Sequence, residues 1–98
     1  MTPEGKVKAA VDKILKRYAP YVHYCKPVQN GMGSPTLDYL GCAGGKFFAI
    51  ETKAPGKPPT ARQEITIAAI QAAGGAVFVI NGDPREMNDL IDWIESVI

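Results

Sequence analysis

The stretch TLDYLGCAGGKFFAIETK, residues 36–53, decides how this chain folds. Two strand-like runs, 36–42 and 46–53, flank Ala43, Gly44 and Gly45, a turn signal of the Gly-Gly type. With Gly44 and Gly45 as a two-residue loop, Ala43 faces Lys46 and Cys42 faces Phe47, and continued counting sets Asp38 across from Glu51. One face of the hairpin then carries Leu40, Phe47 and Ala49 beside the acids, and the other carries Leu37, Tyr39, Phe48 and Ile50. Apolar residues on both faces predict helices on both sides of the sheet.

Side chains directly opposed across such a hairpin have Cβ atoms roughly 4.5–5.5 Å apart, where two like charges repel. The pair Asp38 and Glu51 therefore calls for a cation. Lys53 lies two positions beyond Glu51 and shares its face, so two acids and one amine converge. The two carboxylates and the Thr52 main-chain carbonyl form a hard oxygen set with no thiolate or imidazole beside it. Such a set suits Mg²⁺ or Mn²⁺ better than Zn²⁺.

Working outward, Thr2 and Pro3 form an N-cap and first-turn pair, and Val7, Ala10, Val11, Ile14, Leu15 and Tyr18 recur at helical spacing up to Pro20. Glu4 lies on that inward stripe; it either serves the site on the sheet or complements the helix dipole. Residues 21–28 (YVHYCKPV) read as a strand whose end is spoiled by Pro27, and residues 29–35 as a glycine-bearing loop. After the hairpin comes a proline-stiffened loop, 54–59 (APGKPP), carrying Lys57. Thr60 and Gln63 then match a capping box. The helix they open runs through Ile65, Ala68, Ala69 and Ala72 to Gly74 and Gly75, its alanines suited to close packing on the sheet. Residues 76–80 (AVFVI) suit a buried strand, and Asp83 with Pro84 opens a last helix with Met87, Leu90, Ile91, Ile94 and Val97 inward. Trp93 falls outside that stripe; it packs on a neighbouring element, supports a dimer contact or, as the favoured reading, packs at the edge. The order α-β-β-β-α-β-α predicts an α/β fold, a mixed β-sheet flanked by helices.

A chain of 98 residues, 46% hydrophobic and 21% charged, predicts one compact soluble domain over residues 1–98 with little stability to spare, so a homodimer is expected. No run reaches the length of a membrane span, and MTPEGKVKAA lacks the layout of a signal peptide, which points to the cytoplasm. Cys25 and Cys42 are too few for a disulfide framework and form no CxxC zinc pattern; they read as reduced, part-buried thiols. His23 and Cys25 share a strand face without further partners and are assigned no chemistry. The net charge of +1 hides a polarity: residues 1–62 hold ten Lys/Arg against four acids, a net +6, and residues 63–98 hold Arg85 against six acids, a net −5. The basic half contains the candidate site, as a polyanion-binding surface would; the alternative is two ordinary solvated helix faces.

A spaced Asp38, then Glu51-Thr52-Lys53 on the next strand, then Gln63 opening a helix, resembles the PD-(D/E)XK nuclease superfamily. Within it the likeness is to the virus-type replication and repair nucleases, the VRR-NUC family: Glu4 on a first helix, GMGSPTLD over residues 31–38, IETK over 50–53, TARQ over 60–63. In one departure, Leu37 rather than a proline precedes Asp38, and Pro35 stands three residues earlier. The resemblance implies a restriction-endonuclease-like fold, catalytic roles for Asp38, Glu51, Lys53, Gln63 and Glu4, and a dimer acting on branched or junction DNA. No organic cofactor is implied.

The expected reaction is phosphodiester hydrolysis, with Asp38, Glu51 and Thr52 holding metal and Lys53 orienting water or offsetting transition-state charge. Lys57, Arg62 and Lys46 would grip neighbouring phosphates of DNA. The competing readings are a nucleic-acid-binding module that does not cleave, and a structural subunit whose Asp38, Glu51 and Lys53 form only an ion network.

Overall fold

The computed structural model describes residues 1–28 and 33–98. Helix α1 (Pro3–Arg17) is followed by strands β1 (Val22–Cys25), β2 (Tyr39–Ala43) and β3 (Lys46–Thr52), helix α2 (Ala61–Ala72), strand β4 (Ala76–Ile80) and helix α3 (Pro84–Val97). This is the α/β order read from the sequence, and the sheet runs β1-β2-β3-β4 with the first two pairings antiparallel and the last parallel. The first half of the expected glycine loop, residues 29–32, lies outside the described residues.

The hairpin turns as its glycines require. Gly44 and Gly45 have φ of +56° and +79°, the left-handed pair of a two-residue loop matched to strand twist. A Cβ on Gly44 would come 1.8 Å from the Val97 carbonyl oxygen, so the turn is also where the end of α3 packs. Ala43 pairs with Lys46, Cys42 with Phe47, Gly41 with Phe48, Leu40 with Ala49 and Tyr39 with Ile50.

Helices cover both faces of the sheet. On one, α1 and α3 bury Val11, Leu15, Leu90 and Ile94 against Tyr39, Phe48, Ile50 and Ile80. On the other, Ile67 of α2 packs on Ala49 and Leu37. β3 is central, and every residue from Phe48 to Thr52 is buried. Each large apolar side chain so enclosed contributes about 1.5–3 kcal/mol.

Several expectations are corrected. Leu37 packs with Ala49 and Ile67 rather than with Tyr39 and Phe48, because β2 begins only at Tyr39 and the bend at Asp38 breaks the period-2 alternation. Strand β1 stops at Cys25, short of Pro27. Trp93 packs on neighbouring strands, one of its expected placements, rather than at the edge: its ring centroid lies 5.7 Å from that of Phe48 and 5.5 Å from that of Phe78, against the main core. The alanines of α2 are exposed, and that helix docks through Ile67 and Ile70. Cys25 and Cys42 are exposed free thiols, since the α2 face of β1 and the turn end of β2 is left open.

Candidate functional site

Asp38 ends the hairpin ladder with its side chain. One carboxylate oxygen, Oδ2, accepts the Thr52 main-chain N–H at 3.0 Å and the Thr52 hydroxyl at 2.7 Å. In an antiparallel ladder that N–H would have gone to a carbonyl of β2, so Asp38 takes over as β2 bends away. A residue's N–H and C=O point to the same side of a strand, which turns the Thr52 carbonyl toward the Asp38 side as well. The Lys53 N–H points the other way, to the Ile80 carbonyl at 2.9 Å.

Glu51 sits beside Asp38 on the α2 face and is 3% exposed. Its Oε2 accepts from Gln63 Nε2 at 2.8 Å and lies 3.7 Å from Lys53 Nζ. Its Oε1 is buried with no hydrogen-bond partner among the described residues. An unpartnered buried carboxylate oxygen is costly. Burial first, then the charge of Asp38, pushes the Glu51 carboxyl up to about 7, outweighing the opposing pull of Lys53.

Gln63 makes the capping contacts that its place in the sequence suggested and also bonds Glu51, beside which the resemblance put it. Its Oε1 accepts the Thr60 N–H at 2.9 Å while the Thr60 hydroxyl accepts the Gln63 N–H at 3.2 Å, completing the capping box. The remaining amide hydrogens are free to reach Glu51. One side chain thus locks the helix start to the acid.

Tyr39, next to Asp38, is anchored to α1. Its hydroxyl donates to Asp12 Oδ1 at 2.6 Å, and Lys26 donates to both Asp12 oxygens at 3.1 and 3.0 Å with its ammonium 5.4 Å from the Tyr39 ring centroid. Burial and the Asp12 hydrogen bond push the Tyr39 phenol up. Burial works against the Asp12 charge, but hydrogen bonds from Tyr39 and Lys26 still hold that carboxyl below its ordinary value. This clamp and the Thr52 hydroxyl were not singled out in the sequence. Nothing short of the tertiary fold brings residues 12, 26 and 39 together.

The remaining candidates divide. Lys57 and Arg62 are exposed on the loop and first turn that follow Lys53. Lys46 is at the turn end of β3, about 17 Å along the strand from Glu51. Glu4 pairs with Lys8 at 3.8 Å and its side chain is 44% exposed. Among the described residues no group of three His, Cys, Asp or Glu side chains gathers as a metal centre, so Glu4 does not join Asp38 and Glu51 there. No family model matches the chain, and no curated protein matches it.

The residues present fit a hard divalent cation. Mg²⁺ commonly binds through one or two carboxylates and keeps several waters, completing its shell with substrate phosphate. Asp38, the vacant Oε1 of Glu51 and the Thr52 carbonyl are oxygen donors of that kind.

Proposed function

We propose that this chain is a metal-dependent nuclease that hydrolyses phosphodiester bonds. The observation that carries the reading is Glu51 Oε1: a buried carboxylate oxygen with no partner, beside a second carboxylate, while Oε2 of the same group is already held by Gln63 and Lys53. A finished structural ion network would leave no such orphan. Asp38 and Glu51, with the Thr52 carbonyl, are the groups that would hold Mg²⁺ or Mn²⁺, which when bound supplies charge neutralisation at the phosphate and a more acidic water.

The chain's own groups do the rest. Gln63 and Lys53 fix the Glu51 carboxylate by one oxygen and leave the other without a partner. Lys53, 14% exposed, is positioned to meet negative charge developing on the phosphate or to orient the attacking water. Exposed Lys57 and Arg62 extend the basic surface along a backbone without reading sequence. The resemblance to VRR-NUC proteins favours branched or junction DNA, with two copies acting together.

Incubation with supercoiled plasmid and branched oligonucleotides in Mg²⁺, Mn²⁺ or EDTA tests the proposal. Metal-dependent cutting that Glu51→Ala abolishes is the expected result. DNA binding without cutting under any metal overturns it in favour of a non-cleaving module.

A further inference from the structure

Strand β4 closes the sheet on one side, pairing with β3 alone. Lys53 donates to the Ile80 carbonyl, and main-chain groups alternate sides along a strand, so Ala76, Phe78 and Ile80 face β3. Val77 and Val79 therefore turn their N–H and C=O groups to the outer edge. Among the described residues no hydrogen bond reaches those four groups.

An open edge is ordinarily blunted by lysine, proline, a bulge or a covering segment. The sequence of β4, AVFVI, has no such residue, and Val77, Phe78 and Val79 are only half-buried. Beside the strand runs a groove of about 150 Å³ lined by these three residues and by Glu86 and Asp89 of α3. Glu86 is half-buried and holds the Asn81 N–H through Oε1 at 2.8 Å; Asp89 is exposed. The rim is acidic, within the half of the chain that carries −5.

We propose that this edge accepts an extended basic segment of another polypeptide as a fifth strand. The incoming main chain pairs with Val77 and Val79. Its alternate side chains on the α3 side are Lys or Arg against Glu86 and Asp89, and those on the α2 side are apolar against Val77 and Val79. A second copy of β4 fits less well. Two-fold pairing would set the Glu86 and Asp89 rims of both copies side by side, and the nearby Arg85 is already held by Asp83 at 3.0 Å.

The probe is the labelled peptide acetyl-VKVKVKV-amide, followed by fluorescence anisotropy and by amide hydrogen exchange of the full chain. The expected result is saturable binding, with slowed exchange at Val77 and Val79, weakened on the order of tenfold by Asp89→Lys. A glutamate-for-lysine peptide and a peptide N-methylated on its edge-facing residues should both fail to bind. The N-methylated peptide leaves the protein unaltered, so misfolding cannot explain its failure. Absence of binding, binding indifferent to N-methylation, or protection elsewhere on the chain overturns the proposal. Concentration-dependent protection of Val77 and Val79 without peptide would overturn it in favour of a second copy.

Discussion

Asp38 and Thr52 are joined twice through one oxygen: Oδ2 of the acid accepts both the main-chain N–H and the hydroxyl of the threonine. This joint holds the end of the hairpin where β2 has already turned away. Thr52 is fully buried, so its hydroxyl has no water to turn to.

Thr52→Val keeps the shape and removes the second bond. Hydrogen bonds to charged groups contribute about 1.5–3 kcal/mol, and stability in urea unfolding should fall by about that amount. Divalent-metal affinity should fall with it, because the Asp38 rotamer is less constrained. Unchanged unfolding and unchanged metal binding would show the joint to be idle.

Stability should decline as pH rises through the range between 4.5 and about 7. The Glu51 carboxyl is raised in the folded chain, so in this window the folded state binds more protons than the unfolded one and loses stability as they leave. The shift corresponds to a loss of order 3 kcal/mol, complete above the folded-state value. Glu51→Gln, neutral throughout, should flatten the profile. A wild-type profile as flat as the variant's would contradict the burial argument.

Mn²⁺ should raise the unfolding midpoint, and more so above about pH 7, where the Glu51 carboxyl has lost its proton. At a concentration about 100-fold above Kd the gain is about 2.7 kcal/mol. Asp38→Asn and Glu51→Gln should each remove most of it, whereas Lys53→Ala should retain metal binding and lose cleavage. Calorimetry and differential scanning fluorimetry read the first two, and plasmid nicking the last.

Gln63→Glu separates the two duties of that residue. Glutamate at the third helical position still completes a capping box, so helix α2 keeps its start. It cannot donate to Glu51 and adds a third negative charge. We expect near-native helicity by circular dichroism, a Glu51 titration moved further up by NMR, and reduced cleavage; unaltered Glu51 titration would detach Gln63 from the site.

Gly44→Ala should destabilise the fold by about 2 kcal/mol or more, since the residue sits at φ +56° and its new methyl would strike the Val97 carbonyl. Chemical denaturation measures it. A loss below about 0.5 kcal/mol would mean that the end of α3 yields freely.

What could be read along the chain was whatever depends on near neighbours. Gly44 and Gly45 specify the turn, and the turn with strand alternation specifies every pairing from Ala43–Lys46 to Tyr39–Ile50. Thr60 with Gln63, and Asp83 with Pro84, mark helix starts for the same reason: each motif satisfies local N–H groups. Leu37 escaped because alternation holds only while the strand lasts. Trp93 escaped because helical periodicity names one stripe, while a large ring reaches past it to Phe48 and Phe78. At the site, spacing placed Asp38, Glu51 and Lys53 together, and the same register put Lys46 at the turn, opposite Ala43, where the structure has it.

The sequence by itself determined the elements, the hairpin register and the convergence of two acids and an amine, since these follow from periodicity and turn chemistry within some eighteen residues of chain. Only the tertiary structure decided that Glu51 has one oxygen held and one without a partner, and that Asp38 is fastened to Thr52. Those outcomes rest on burial and on which distant groups arrive to share it, and burial is a property of the packed whole.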